Sequence, residues 1–288
     1  MRVLAAFSYS LGGRDAFALG YSLAKALNCP LDLVTIVRGG EESVALTTTK
    51  TAFDREVAAQ IDRWMDEVIG ETDGSVVPTK NLRYAMSYPE GLLAAVEEFG
   101  STLLVIGGGR HGAFGQVSLG AVGNTMLHSS PVPVALAPRG FRNHPYTKLG
   151  RVSAIVGDTG ERGQVVLKAA AEYANASSAG LRLVSISTAS RVRRTGEEAE
   201  QRGERIAEAA KSVSLNSGAI PLSEVAQGDN IEEAVATIKW KKQEIALMGS
   251  GRLAQKGRLF LGSTANRILR VLPVPLVVVP AGWEGEAS

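Results

Sequence analysis

Gly107 and Gly249, Arg110 and Arg252, Gly120 and Gly262, and Pro131 and Pro273 are each separated by 142 residues. Nearer the start of each half, residues 3–6 match 152–155 at an offset of 149, and residues 31–34 match 181–184 at an offset of 150. This periodicity constrains the fold more than any other feature, because it means that one unit is written twice. The fall from 150 to 142 makes the second copy about eight residues shorter in its middle. A period this long excludes a stacked solenoid, whose repeats run roughly 20–50 residues. A chain of 288 residues suits two domains of ordinary size. They are expected at 1–139 and 151–288, with a linker at 140–150 where Gly140, Asn143 and Pro145 interrupt regular structure.

Within each unit, strands alternate with helices, which argues a parallel α/β sheet. In the first half, strand-like runs fall at 3–7, 31–37, 82–86 and 103–106. A turn at 8–13 and helices at 17–27, 46–69 and 89–99 lie between them. Val57, Ile61, Trp64 and Val68, widened by Met65, recur at helical spacing and predict a core stripe. In the second half a strand at 152–156 runs into the turn Gly157-Asp158-Thr159-Gly160, a helix at 165–173 and a strand at 181–187. A weaker strand at 220–225, beside Pro221, precedes a helix marked by Ile231, Val235 and Ile238. Residues 191–211 are dense in mixed charge, and the i, i+4 pair Glu198 and Arg202 predicts a solvated helix face. Residues 281–288 read as a frayed tail.

The segment 244–280 is the most informative copy of the repeat. An apolar run at 245–248 stops at Gly249-Ser250-Gly251, and a basic loop with Arg252, Lys256 and Arg258 follows. Gly262-Ser263-Thr264 then opens a helix whose apolar residues Ala265, Ile268, Leu269 and Leu272 share one face. Glycine lets the backbone come close to a ligand. Ser263 is placed to cap the helix, and free N–H groups at a helix start attract phosphate. Two readings stay open on these residues alone: an anion site, or a β–α turn with a solvated basic loop.

The two glycine loops carry a family likeness. Each half resembles a universal stress protein domain, and the chain resembles a tandem universal stress protein. The family signature is G-x2-G-x9-G-(S/T); the second half reads Gly249-x2-Arg252-x9-Gly262-Ser263 and the first Gly107-x2-Arg110-x9-Gly120-Ala121. Arg replaces one signature glycine in both copies, and Ala121 stands where the family has Ser or Thr. The resemblance implies, for each half, a five-stranded, mostly parallel sheet flanked by helices, of the adenine nucleotide hydrolase-like, Rossmann type. In the family's nucleotide-binding branch, an Asp after the first strand and a residue late in the second strand hold the adenosine, and the signature loop holds the phosphates. Carried over to the second half, these positions are Gly157, Asp158 and Thr159, then Ile186, then Gly249, Ser250, Gly251, Arg252, Gly262, Ser263 and Thr264. The implied ligand is ATP, with magnesium accompanying it. Arg252 either blocks that site or adds a charge-assisted contact. In the first half the Asp position is Ser8 and the hydroxyl position is Ala121, so weak or absent nucleotide binding is expected there.

Composition narrows the rest. Net charge is +2, which gives no argument for nucleic acid, and one cysteine, Cys29, excludes an internal disulfide framework. The start lacks signal-peptide character, and the longest apolar run falls short of a membrane helix, so a cytoplasmic protein without membrane insertion is expected. His111, His128 and His144 are isolated, and no Cys/His cluster suggests a metal site. Proline favours sheet edges, so the two Pro-Val-Pro segments are expected to pair the halves as an internal pseudo-dimer, with a homodimer of two chains a further option. Three function classes remain: a regulatory, stress-linked nucleotide binder without turnover, which is favoured; a scaffold acting through protein partners; and a weak ATP-hydrolysing enzyme. For the last, the loop Ser10–Ala16 bears a slight likeness to the Ser-Gly-Gly-x-Asp-Ser loop of ATP pyrophosphatases, and no catalytic residues are assigned.

Overall fold

The computed structural model describes residues 1–39, 52–109, 119–251, 259 and 261–285. The first half runs β1 (Val3–Ala6), α1 (Leu11–Leu27), β2 (Leu31–Arg38), α2 (Ala52–Gly70), β3 (Thr79–Ala85), α3 (Tyr88–Glu98), β4 (Leu103–Gly107), α4 (Ala121–Ser129) and β5 (Val134–Ala137). The second runs β6 (Arg151–Ile155), α5 (Glu161–Ser177), β7 (Gly180–Thr188), α6 (Ala189–Thr195), α7 (Ala199–Lys211), β8 (Leu222–Gly228), α8 (Ile231–Thr237), β9 (Glu244–Gly249), α9 (Ser263–Val271) and β10 (Leu276–Val279). Arg110, His111, Arg252, Lys256 and Arg258, and residues 46–51 of the long helical pattern, lie outside the described residues.

All ten strands form one sheet in the order β3-β2-β1-β4-β5-β10-β9-β6-β7-β8. Neighbours within each half are parallel. At the centre β5 and β10 run antiparallel, with Leu136 opposite Leu276 and Val134 opposite Val278. The Pro-Val-Pro segments therefore bring the halves together inside one chain. Their prolines precede the strands, so no ladder N–H is lost, and the carbonyls of Pro133 and Pro275 accept from Leu104 N and Ala246 N.

Alternation along each strand fills two apolar layers. Val3, Ala5, Val277 and Val279 face the layer under α1, α2, α5 and α7. Leu4, Leu276 and Val278 face the layer under α3, α4 and α9. Both layers draw on both halves. Ile61, Met65 and Val68 of the predicted stripe are buried, and Val57 and Trp64 pack partly buried against them. Trp64 also stacks on Tyr9 with ring centroids 4.6 Å apart.

Four expectations change. α1 starts at Leu11 rather than at 17, because Ser10 caps it by accepting from Gly13 N at 3.1 Å. Gly13 is needed for close approach rather than for a turn: a Cβ there would lie 2.1 Å from Ser8 O. Ser263 does not cap α9; Gly262 holds the cap position and makes no side-chain cap bond. Residues 281–285 are docked rather than frayed, since Trp283 packs against the core and Lys168 Nζ donates to the Glu284 carbonyl.

The fourth change concerns Arg202. It is 2% exposed and pairs with Glu197 at 2.6 Å, while Glu198 sits at the α7 N-cap position. Arg202, Ile206, Ala209 and Ala210 form one buried face of α7. The i, i+4 spacing of charges suggested a surface pair; the apolar spacing that contains Arg202 describes its position better.

Residues 140–150 carry core side chains between the halves. Gly140 adopts a left-handed φ of 83° and leads into a single 3-10 turn, Phe141–Asn143. Phe141 and Tyr146 are buried and meet edge to face at 4.9 Å. The buried carboxylate of Asp15 on α1 accepts from Gly140 N at 2.8 Å, Arg142 N at 3.1 Å and Arg142 Nη1 at 2.9 Å. Tyr146 N donates to Ser22 Oγ in the first half, and its hydroxyl donates to the Glu244 carbonyl in the second. Burial pushes the Tyr146 phenol well above its usual range, which keeps it a donor.

Candidate functional site

The order β10-β9-β6-β7-β8 reverses direction between β6 and β9. In open parallel sheets, ligands bind outside the carboxyl ends of strands at such a switch point. Most of the described second-half candidates gather at this edge. Gly157, Asp158 and Thr159 form the turn after β6, Gly249-Ser250-Gly251 leaves β9, and Gly262, Ser263 and Thr264 begin α9. Ile186 lies late in β7, half buried, on the strand beside β6. Gly157, Asp158, Ser263 and Thr264 are exposed. Arg252 falls outside the described residues.

The loop is closed by its glycines. A Cβ on Gly262 would lie 3.8 Å from Gly251 Cα, so the two ends of the loop nearly touch. Gly109 and Gly120 repeat this contact in the first half, with a Gly109 Cβ 2.9 Å from Gly120 N. The N-cap residue Gly262 makes no side-chain cap bond to the first turn of α9, and amides at a helix start are groups that water or an anion can satisfy.

The turn after the first strand differs between the halves by one residue. In the first half Ser8-Tyr9-Ser10 separates Phe7 from α1, and in the second Gly157-Asp158-Thr159-Gly160 separates Val156 from α5. A Cβ on Gly13 would meet Ser8 O at 2.1 Å, and one on Gly163 would meet Asp158 O at 2.0 Å. Measured from the helix, Asp158 rather than Gly157 therefore stands where Ser8 stands, and Gly157 is the added residue. The Asp158 carboxylate is exposed and accepts from Gly160 N at 3.2 Å within its own turn.

The two halves also differ in how closely the backbone of the first helix approaches the fourth strand. A Cβ on Gly107 would lie 1.9 Å from Gly12 O, so the first turn of α1 rests on the end of β4. The same construction at Gly249 puts Arg162 O, the matching atom of α5, 3.9 Å away. The backbone of the second-half helix thus stands back from its strand, and the Val166 side chain fills the space, its Cγ2 2.8 Å from the built Cβ.

A cleft of about 570 Å³ opens between the starts of α4 and α9, with Gly120, Ala121, Asn124, Ser263 and Asn266 on its walls. Arg267 and Arg270 add positive charge there. Arg267 forks onto Glu232 and holds that carboxyl below its usual range.

With this geometry in view, comparison with known proteins is decisive. The universal stress protein family model matches residues 1–138 and again 154–280. The chain belongs to the universal stress protein family. Universal stress proteins of Mycobacterium tuberculosis and Mycobacterium bovis are each 26% identical to it over 283 residues, 93% of this chain and 96% of theirs. A universal stress protein structure from Archaeoglobus fulgidus superposes with a TM-score of 0.66 at 17% identity, covering 98% of both chains. That likeness carries the fold. As a tandem member of the family, the chain has both copies of the α/β unit built into one continuous sheet.

Two residues at the candidate edge were not foreseen. Arg191 Nη2 donates to Gly157 O at 3.1 Å, and Arg202 Nη1 donates to the same carbonyl at 3.3 Å and to Ser185 Oγ at 3.4 Å. No described group of three His, Cys, Asp or Glu side chains is placed to hold a metal ion.

Proposed function

We propose that the second half binds an adenine nucleotide and that the first half binds it weakly or not at all, making the protein a regulatory nucleotide binder without turnover. The observation that carries this reading is the exchange after the first strand, where the exposed Asp158 stands in the place of Ser8, and the backbone spacing beside it also differs. Arg162 O stands 3.9 Å from the built Gly249 Cβ, whereas Gly12 O stands 1.9 Å from that of Gly107. Asp158 supports it, since it supplies an exposed carboxylate for ribose hydroxyls where the first half has Ser8. The phosphates would rest on the uncapped start of α9, against Gly251, Gly262, Ser263 and Thr264. Magnesium would come with the phosphates, which is how that ion commonly binds, with the Ser263 and Thr264 hydroxyls nearby.

Photo-crosslinking the full chain with 8-azido-ATP and mapping the labelled peptides tests the assignment. Label is expected in peptides of the second half, near Asp158 or Ile186. Equal labelling near Ser8 would contradict the division of labour. A chain that takes no label and is captured with a defined protein partner would favour the scaffold reading.

A further inference from the structure

We propose that Arg202 is a positioning residue for the second-half site: its guanidinium holds the Gly157 carbonyl inward and so sets the Gly157–Asp158 peptide, from which the Asp158 carboxylate meets the ribose hydroxyls of a bound nucleotide. This rests on the reading of that edge as a nucleotide site. The carbonyl of Gly157 and the N–H of Asp158 belong to one planar trans unit, so they point in opposite directions. Arg202 is 2% exposed, and its Nη1 donates to that carbonyl at 3.3 Å. With the carbonyl turned toward a buried group, the Asp158 amide is turned toward the open side of the turn, where Gly157 and Asp158 are exposed. The Asp158 side chain leaves from the next atom of the chain, so its direction follows from the same unit.

The guanidinium is itself fixed. Its Nη2 pairs with Glu197 at 2.6 Å, and its Nη1 also donates to Ser185 Oγ at 3.4 Å. The Ser185 hydroxyl in turn donates to Val156 O at 3.1 Å. Two successive carbonyls just past the end of β6, those of Val156 and Gly157, are thus tied to β7 and α7 through one side chain. Arg191 Nη2 donates to the Gly157 carbonyl as well, at 3.1 Å, from α6. A carbonyl oxygen has two lone pairs. Two donors arriving from different helices fix its direction, whereas one donor alone leaves the peptide free to turn toward it.

Packing does not account for an arginine at this position. The other buried residues of α7 are Ile206, Ala209 and Ala210. Burial holds the Arg202 guanidinium below its usual range, and the nearby charge of Arg191 adds to that effect. Its Nε is buried and makes no hydrogen bond. Replacing buried charged groups with well-packed apolar ones is often neutral or stabilising. An apolar side chain would therefore serve the core of α7 as well as arginine does. It could not reach across to the Gly157 carbonyl and hold it.

The test is calorimetric titration of the full-length chain with MgATP and with magnesium dideoxy-ATP, which lacks both ribose hydroxyls, repeated on Arg202→Met and Asp158→Ala. Methionine keeps an apolar stem of similar length, so the core of α7 stays filled. The natural chain is expected to prefer MgATP by about tenfold or more, the worth of hydrogen bonds to a charged group. Asp158→Ala should lose that preference. Arg202→Met should lose most of it too, through weaker binding of MgATP and with dideoxy-ATP bound as before. Should Arg202→Met not fold, Arg202→Lys, which keeps a charge facing Glu197 without the forked reach, should show a smaller loss of the same kind. A preference kept in the Arg202 variants, or an equal fall for both nucleotides, overturns the positioning role and leaves the nucleotide reading standing. No binding of either nucleotide by the natural chain overturns the nucleotide reading and the positioning role with it.

Discussion

Glu244→Ala is expected to lower the stability of the fold by about 3–5 kcal/mol, the usual cost of leaving buried partner charges unpaired. Glu244 is the first residue of β9 and is 0% exposed. Its carboxylate accepts from Arg151 Nη2 at 2.5 Å, Arg182 Nη2 at 2.7 Å, Ser153 Oγ and Lys241 N at 2.7 Å. Arg182 also pairs with Glu224 at 2.7 Å and lies 5.1 Å over the Trp240 ring. One carboxylate thus fastens the amino-terminal ends of β6, β7 and β9 together, at the edge opposite the candidate site. Truncating it takes from the buried Arg151 guanidinium its carboxylate partner and from Arg182 one of two, and strands the Lys241 amide. Glu208→Ala removes an exposed i, i+3 partner of Lys211, and such pairs contribute about 0–1 kcal/mol. Urea unfolding followed by circular dichroism should separate the two variants clearly. A Glu244→Ala midpoint close to that of Glu208→Ala would mean that the cluster is not stabilising in the way its geometry suggests.

Asp15→Ala should cost about 2–4 kcal/mol, from the loss of a charge-assisted hydrogen bond and two stranded amides. The carboxylate of Asp15 is the one group that satisfies both Gly140 N and Arg142 N across 125 and 127 residues of sequence. Without it the turn Phe141–Asn143 loses its anchor on α1, and the Phe141–Tyr146 ring contact loses its support. The variant should unfold at lower urea and should be cut by protease within 140–150 faster than the natural chain. Asp15→Asn, which keeps one acceptor oxygen, should fall between the two. Protease resistance equal to the natural chain would show that the segment is held by its aromatic packing alone. The same contacts bear on the loop Ser10–Ala16. Its Asp15 is directed at the segment joining the halves, and its Gly12 and Gly13 lie in the first turn of α1.

Strand and helix order was legible because it is written in apolar runs and glycine breaks, and it is written twice. The pairing of β5 with β10 was legible from the Pro-Val-Pro segments, whose prolines fit a strand start at a boundary. What sequence pattern hid was polar and buried. Arg202 looked like half of a surface ion pair with Glu198, and only the Arg202, Ile206, Ala209, Ala210 spacing placed it on the inner face of α7. Glu244 only marked the start of the segment 244–280, because its partners Arg151 and Arg182 come from strands about 90 and 60 residues earlier. Close approach was hidden as well. Gly12 and Gly13 signalled a turn, yet Gly13 is required by the Ser8 carbonyl beneath it. The candidate site was legible as a set of positions. The one-residue difference that gives Asp158 the place of Ser8, and the 1.9 Å against 3.9 Å backbone spacing at Gly107 and Gly249, needed coordinates.

The central claim is that one half of this tandem protein has kept a usable nucleotide crevice. Calorimetric titration of MgATP into the full chain tests it most directly, with Gly262→Arg and Gly120→Arg run beside it. Gly262 has a φ of −69° and a Cβ position 3.8 Å from its nearest neighbour, so a side chain there fills the loop mouth without straining the backbone. The account predicts one site per chain, lost in Gly262→Arg and kept in Gly120→Arg. Two equal sites, or one site lost only in Gly120→Arg, would contradict it.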